Sequence, residues 1–437
     1  MTESRPRVAR TGSRPGHAGL PRLLAGLHSS GQVLSALDHE RVHGPLPALR
    51  GGELIEMVQR SGLRGRGGAD FPVGRKLRTV AAMGGSSRGG VSAVVVNGSE
   101  TEPASSKDRL LFTALPHLVL DGALLAAYAV GAREVIVNVN ESAEGSLRVL
   151  EGAIADRGDS RVPIRVVTGP DGYVAGEESA VIHRLNGGRP LPTFVPPRPF
   201  QRGYRGRPTL INNAETLAQI ALIARFGDQW FRELGTSADP GSVLVTISGA
   251  VATPGVYELE FGTPIQDLLA AAGGLTERVQ ALLIGGYFGT WVEYSRAAQV
   301  RLARTDLRAM GATLGSGVVI ALRASACGLT ESARVVRYLA GESSGQCGPC
   351  VHGLAGISAL FDALAGGTAS ERERLTLERW IAEVRGRGAC HHPDGVARFA
   401  QSALQIFEED VQEHRLGRCM ARRVGVPVGA PSGSSAS

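Results

Sequence analysis

The chain is short of cysteine, of aromatics and above all of lysine. Five cysteines in 437 residues is a sparse and odd count, which excludes a disulfide scaffold and points to a reducing compartment, the cytoplasm. Lysine occurs only as Lys76 and Lys107, against 45 arginines. With alanine and glycine used heavily, this bias reads as GC-rich codon usage. It makes the two lysines informative, because a compact ammonium is not interchangeable with a guanidinium. No apolar run reaches the roughly 18–20 residues of a membrane span, so no direct membrane insertion is expected. The best candidate, HLVLDGALLAAYAVG (117–131), is short and carries Asp121, and reads as a buried helix. The arginine-rich N-terminus lacks the apolar core and cleavage site of a secretory signal. Net charge is +6, but it is diffuse, part of it in the tail (Arg5, Arg7, Arg10, Arg14, Arg22). No basic stripe interleaved with aromatics appears, so nucleic-acid binding is not expected.

What is present reads as globular, with 43% hydrophobic and 20% charged residues, in a chain long enough for two to four domains. Residues 1–50, rich in Pro, Gly, Arg and His, are expected to form an extended arm. From residue 51 strand-like runs at VSAVVVNGS (91–99), EVIVNVN (134–140) and PIRVVTG (163–169) alternate with helical stretches at 116–131 and around 145–156. That alternation predicts an α/β domain with a parallel sheet over 51–237, closed by helices at 215–227 and 228–234. TSADPGS (236–242) is turn-rich and marks a boundary. A β-rich module follows over 238–325, then an almost wholly helical region over 326–425. The tail 426–437 is too polar and glycine-rich to bury anything.

Four polar motifs interrupt this pattern. In SGLRGRGGADFPVGRK (61–76) the glycines Gly65, Gly67 and Gly68 permit positive φ and close backbone approach, so amides can turn toward an anion while Arg66 and Lys76 supply charge. A plain glycine-rich turn would read the same way. In VNGSETEPASSKDR (96–109) Asn97, Glu100, Glu102 and Lys107 follow a buried strand, where ligands of open α/β sheets gather; the alternative is a polar loop whose Asn caps a turn. In GYVAGEESAVIHRL (172–185) Glu177 and Glu178 open a helix, which by itself accounts for them. In GRPTLINNAETLAQ (206–219) Asn212, Asn213 and Thr216 offer donors ahead of another helix. A fifth stretch, GESSGQCGPC (341–350), spaces Cys347 and Cys350 as in iron–sulfur and zinc loops.

In content and order these motifs resemble the flavin-bearing, NADH-oxidising subunit of respiratory complex I (the family of F-type subunits of NADH-quinone oxidoreductase), which includes diaphorase subunits of hydrogenases and formate dehydrogenases. The family patterns G-R-G-G-A-x-F-P-x-G-x-K, N-x-x-E-x-E-P, Y-x-x-G-E-E and I-N-N-x-E-T stand here as GRGGADFPVGRK, NGSETEP, YVAGEES and INNAET, within a resemblance that spans roughly residues 50–420. It implies a Rossmann-like FMN-binding domain, a β-grasp (soluble-ligand-binding) insert and a C-terminal helical iron–sulfur bundle. Gly65, Arg66, Gly67, Phe71 and Lys76 would line the FMN and nicotinamide-nucleotide site, with Phe71 stacking on a ring. Asn97, Tyr173, Gly176 and Glu177 would contact the flavin, Asn212, Asn213 and Thr216 its phosphate. Glu102 and Glu178 would face the dinucleotide and are the candidate catalytic residues. The family usually has aspartate where this chain has Ser99, and aromatics where it has Leu77, Thr79 and Arg198. The flavin set is thus nearly complete and the nucleotide sandwich thinned, so the donor is NADH or, through Arg198, NADPH.

The family's cluster loop reads E-S-C-G-x-C-x-P-C, with a fourth cysteine some 40 residues on. Here Cys347, Cys350 and Cys390 fill three places, and Ser344 replaces the first thiolate. Three arrangements suit these residues: a [4Fe–4S] cluster completed by Ser344, a histidine or an outside ligand; a Cys₃His zinc site using His391 or His392; or a vestigial or [3Fe–4S] site. The flanking helices and distal cysteine match the redox family and favour the cluster. Cys327 and Cys419 lie outside the pattern and are expected to be buried or incidental. The reading is an FMN-dependent electron-transfer subunit. It would pass electrons from NADH or NADPH to a ferredoxin, a thioredoxin-like iron–sulfur subunit or a membrane reductase, in the cytoplasm or peripheral to a membrane through that partner. The rival is a non-catalytic relic of the same architecture, a docking protein with structural zinc.

Overall fold

The computed structural model describes residues 19–27, 32–86, 92–158, 162–419 and 424–428. Its first domain is organised by four parallel strands, β1 (Ser92–Gly98), β2 (Ala132–Asn140), β3 (Ile164–Gly169) and β4 (Thr209–Asn213), in the order β3-β2-β1-β4. The runs that read as strands from sequence are β1 to β3. The fourth, TLINN, is legible only as a source of donors, because two asparagines break its apolar pattern. β4 lies on the opposite side of β1 from β2, so the chain changes direction across the sheet between β1 and β4. A crevice opens at the carboxyl ends of strands at such a switch point.

Helices α1 (Ala36–His43), α2 (Gly51–Ser61), α3 (Val73–Ser86), α4 (Lys107–Ala114), α5 (Pro116–Val130), α6 (Glu144–Asp156), α7 (Glu178–Leu185), α8 (Ala214–Phe226) and α9 (Asp228–Arg232) surround this sheet. α5 starts with Pro116, tolerated where an N–H would have no partner, and ends at Gly131 with φ 66°. It is buried almost all round and packs closely on α8: a Cβ on Gly122 would stand 1.8 Å from the Leu217 carbonyl oxygen. Among the described residues no single helix is long and apolar enough to cross a membrane.

The N-terminal region is not the extended arm expected. Leu23 and Leu24 are buried in the first domain's core, and the amides of Arg22, Leu23 and Leu24 donate to Glu258 at 2.8, 2.9 and 3.0 Å. α1, capped by Ser35, places His39 Nε2 2.8 Å from buried Asp121. This docking rests on one leucine pair and distant carboxylates, which leave no periodicity to read. Residues 1–18 and 28–31 of that expectation lie outside the described residues.

The second module is a five-stranded sheet of β5 (Ser242–Gly249), β6 (Gly255–Glu260), β7 (Val279–Ile284), β8 (Thr290–Glu293) and β9 (Val318–Arg323), ordered β6-β5-β9-β7-β8 with β5 and β9 parallel. Short helices α10 (Ile265–Ala271), α11 (Tyr294–Ala297) and α12 (Arg304–Ala309) complete it. Its central strands are apolar on both faces for a reason. Val319 and Ala321 of β9 enter the module's own core, while Val318, Ile320 and Leu322 enter the core of the helical region. Strands covered on both faces lose the usual alternation of apolar and polar residues.

That helical region comprises α13 (Gly328–Gly341), α14 (Ala355–Ala365), α15 (Glu371–Val384), α16 (His392–Ile406) and α17 (Glu408–Arg415), with a π-helical turn at Pro349–Leu354. The tail differs from expectation where it is described: Val426 is buried, and its amide donates to Glu331 Oε2 at 2.9 Å. Residues 429–437 lie outside the described residues.

Candidate functional site

All four polar motifs converge on the crevice between β1 and β4. Parallel pairing sets Asn97 beside Asn213 and Val96 beside Asn212, at the carboxyl ends of both strands. The glycine loop between α2 and α3 closes over them. The Arg66 amide donates to Thr216 Oγ1 at 2.9 Å, and a Cβ on Gly67 would come within 3.2 Å of Asn213 Cβ. Gly68 has φ 95°, a conformation that favours glycine. From the third side the loop before α7 arrives, held by Asn97 Nδ2 donating to the Gly176 carbonyl at 2.8 Å. A side chain at Gly176 would meet Thr101 Oγ1 at 2.9 Å.

The polar groups divide into those that build the crevice and those left to face it. Lys76 Nζ donates to the Ile211 carbonyl at 2.6 Å and to Glu178 Oε2 at 3.3 Å. Arg198 lies on the other side of Glu178, at 4.0 Å. Phe71 is exposed, with the Arg75 guanidinium 5.9 Å from its ring centre. Asn212 is buried, and its Nδ2 has no hydrogen-bond partner. An orphaned buried amide beside a glycine cradle fits a ligand rich in acceptors, such as a phosphate or a flavin carbonyl.

Arg66 departs from expectation. Its guanidinium does not supply charge to the crevice: it is buried beneath the loop, 3.8 Å from Glu215, donating to the Ser242 carbonyl at 3.1 Å and lying over the Phe261 ring. Glu177 caps α7, one oxygen accepting from the amides of Ser179 and Ala180 at 2.8 and 3.1 Å. Burial pushes its carboxyl above the ordinary range against these donors. Glu102 is buried where the first two domains meet, and its Oε2 accepts from Tyr173 Oη at 3.0 Å and from the Tyr287 amide at 2.8 Å. Burial pushes that carboxyl up to about 7, with those donors opposing.

Lys107 stands behind the site. Its Nζ is buried, 2.8 Å from Glu215 Oε2, 3.3 Å from Asn213 Oδ1 and 3.4 Å from Asp108 Oδ1. Asn213 Nδ2 in turn donates to Asp108 at 2.6 Å, and Asn213 caps α8. Burial alone would lower the ammonium, but Asp108 and Glu215 together hold it above its ordinary value. Lys107 therefore orients Asn213. Asp108 and Glu215 do not stand out in the sequence, because their partners come from separate motifs.

The thiol loop lies against this crevice. Gln346 Nε2 donates to the Pro192 carbonyl at 2.9 Å, and the Tyr173 amide donates to Glu342 at 2.7 Å. Cys350 is buried and Cys347 and Cys390 half-buried. Burial pushes the Cys350 thiol up to about 11. At Cys347 burial is outweighed by the amides of Ala389 and Cys350, which hold the thiol below its ordinary value. Cys390 is pushed up by burial first, and it also feels the charge of Glu177. Ser344 Oγ stands 3.9 Å from Cys350 Sγ.

A tetrahedral ion bound to sulfur at about 2.3 Å needs ligand atoms roughly 3.8 Å apart. Among the described residues, the group of three metal-ligating side chains gathered within 4.8 Å is Cys327, His414 and Cys419, not Cys347, Cys350 and Cys390. In the loop, Cys347 and Cys350 lie close enough to interact, but the three sulfurs are not all gathered within that distance. His391 is exposed, and buried His392 holds the Leu339 carbonyl through Nε2 at 2.8 Å. A separate cavity of about 750 Å³ is lined by residues including His183, Phe194 and Arg202, none of them a candidate site residue.

A parallel-sheet domain with an anion-ready crevice at its switch point, and a thiol loop packed against that crevice, defines a nucleotide-cofactor electron-transfer protein. The comparisons agree. The family described as the Nuo51 FMN-binding domain matches residues 58–222, the SLBB domain 244–286, and the NADH-ubiquinone oxidoreductase-F iron–sulfur binding region 323–414. The second F-type subunit of NADH-quinone oxidoreductase in Rhizobium meliloti is 32% identical over 83% of this chain and 88% of that protein. The alpha subunit of the NAD-reducing hydrogenase HoxS of Cupriavidus necator is 33% identical over 83% of this chain and 61% of that protein. A crystal structure of an NAD⁺-reducing [NiFe]-hydrogenase in the H₂-reduced state superposes with a TM-score of 0.81 at 27% identity, over 94% of this chain and 68% of that one. The chain belongs to the family of F-type subunits of NADH-quinone oxidoreductase.

Proposed function

We propose that this chain is an NADH-oxidising, FMN-bearing subunit, which delivers electrons through a [4Fe–4S] cluster in its helical region to another subunit. FMN, when bound, supplies the conversion of a two-electron donor into one-electron steps. The chain's own residues bind, orient and exclude water. Asn212 Nδ2, Asn213, Thr216 and the amide of Gly67 would hold the phosphate end, with the Gly65 amide turned to the Phe71 carbonyl and the Arg66 amide to Thr216 to shape the loop. Asn97, Tyr173, Gly176 and Glu177 would shape the pocket for the ring. Phe71 offers a stacking face, and Glu178, set between Lys76 and Arg198, is the acceptor for the dinucleotide's hydroxyls. Arg198 is turned to Glu178, which leaves NADH favoured over NADPH. Glu102 joins Tyr173 to Tyr287 and acts here as a positioning residue. No hydrolytic acid or base is required, because alignment of donor and acceptor is the catalysis.

The observation that carries this reading is adjacency. Glu177 caps the helix at the crevice and its charge reaches Cys390, while Tyr173 of the same loop donates to Glu342 ahead of the thiols. Cys347, Cys350 and Cys390 would hold the cluster, with Ser344 Oγ at the fourth position. The acceptor would be a ferredoxin, a thioredoxin-like iron–sulfur subunit or a membrane reductase, and the location the cytoplasm or a membrane surface reached through that partner.

The test is spectroscopic. Anaerobically purified protein should be yellow, its flavin absorbance should bleach faster with NADH than with NADPH, and a reduced-cluster resonance should follow. A colourless preparation that binds no FMN, with stoichiometric zinc and no iron at the loop, would establish the relic with structural zinc instead.

A further inference from the structure

Two cysteines left over by the cluster pattern are brought together by the fold. Cys327 ends the connection from β9 into α13, and Cys419 follows α17, the last helix. The sulfurs of both and a ring nitrogen of His414 on α17 lie within 4.8 Å of one another. Cys327 Sγ is 3.2 Å from His414 Nε2. Cys327 is buried, as expected of a cysteine outside the cluster pattern, whereas Cys419 is exposed.

The surroundings are those of a metal ligand set. His414 Nδ1 lies 2.6 Å from the Ala365 carbonyl. A carbonyl only accepts, so Nδ1 carries the proton and Nε2 turns its lone pair toward Cys327. Ligating histidines are held in this way, with the second nitrogen donating to a carbonyl or carboxylate. Cys327 Sγ accepts from the Thr330 amide and hydroxyl, both at 3.3 Å, at the start of α13. Asp410 Oδ2 comes within 3.6 Å of the same sulfur but is held by the amides of Gly328 and Leu329 at 2.7 and 3.3 Å.

We propose that Cys327, His414 and Cys419 form a second metal site, for a single borderline divalent ion of the zinc type, separate from the cluster loop. Zinc bonds of about 2.3 Å to sulfur and 2.1 Å to nitrogen set ligand atoms roughly 3.6–3.8 Å apart, within reach of these three by small side-chain rotations. Two thiolates and one imidazole select zinc over magnesium or calcium. Water takes the fourth position on the exposed Cys419 side. The ion staples α17 to the head of α13, whose Glu331 also accepts from the Val426 amide.

The test uses the full-length holoprotein loaded with Zn²⁺ and dialysed, with metals counted by mass spectrometry. About one zinc per chain should remain in the unaltered protein, and X-ray absorption should give two sulfurs and one nitrogen around it. Zinc should drop to background in Cys419→Ser and in His414→Gln, and stay unchanged in Cys347→Ser. Iron and FMN contents should not change in Cys419→Ser, where an exposed residue is altered without disturbing packing. Three results would overturn the assignment: no retained zinc in the unaltered protein, zinc lost from Cys347→Ser but kept in Cys419→Ser, or recovery of Cys327 and Cys419 as a disulfide under non-reducing digestion.

Discussion

Ser344 and Lys107 are single residues whose roles can be weighed. Ser344 offers oxygen where the family pattern has sulfur, and its Oγ already stands 3.9 Å from Cys350 Sγ. Ser344→Cys should therefore raise the iron retained per chain after aerobic gel filtration, because a fourth thiolate suits a cubane cluster better than a hydroxyl. Equal iron loss in both proteins would count against Ser344 as a ligand position. Lys107 neutralises Glu215 and Asp108 in a site closed to water. Lys107→Met leaves both carboxylates buried without their cation, a change worth about 3–5 kcal/mol. It should lower the urea midpoint and release Asn213, so that FMN affinity falls along with stability. Unchanged stability and FMN content would refute its positioning role. Rarity marks Lys107 in the sequence, and order marks the motif residues. Neither shows that Arg66 points away from the crevice, because that depends on Glu215 and Ser242 arriving from elsewhere in the chain.

At the scale of elements, what is legible follows periodicity. β1, β2, β3, α5 and α8 read close to their observed bounds, since buried parallel strands and apolar helices leave long uniform runs. β4 does not, because Asn212 and Asn213 serve the site at the cost of strand pattern. α1 does not either: its buried residues are two histidines, His39 on Asp121 and His43. The contact of α5 with α8 makes a sharp prediction. Gly122→Ala places a methyl 1.8 Å from the Leu217 carbonyl oxygen, so the two helices must separate. The loss should be at least the roughly 1–3 kcal/mol of an overpacked core, read as a lower urea midpoint. Gly152→Ala on α6, where nothing lies within 4 Å, should be neutral or slightly stabilising.

For the molecule as a whole, buried histidines set the response to acid. Burial lowers His43 to about 3 and His117 to about 4, with the neighbouring His39 adding to each shift, against 6.5 for the free side chain. Below pH 6.5 the unfolded chain binds protons that the folded chain does not, so stability rises with pH through this window. It is fully present above about pH 6.5 and lost as pH falls toward 4, by at most about 1.4 kcal/mol per histidine per pH unit. Thermal melting between pH 7 and 4.5 should show a steady decline that is shallower in His43→Phe; parallel curves would remove His43 from the account. The three-part architecture is visible in the sequence, whereas the way the parts share surfaces is not.

The sheet with a core on either face acts as a party wall. Because Val318, Ile320 and Leu322 belong to one room and Val319 and Ala321 to the other, the helical region cannot swing away without baring a face of β9 to water. That wall backs the direct ties of the thiol loop to the crevice, Gln346 to Pro192 and Tyr173 to Glu342. Trimming β9, for instance with Ile320→Ala, should slow transfer from flavin to cluster while leaving hydride uptake from NADH untouched.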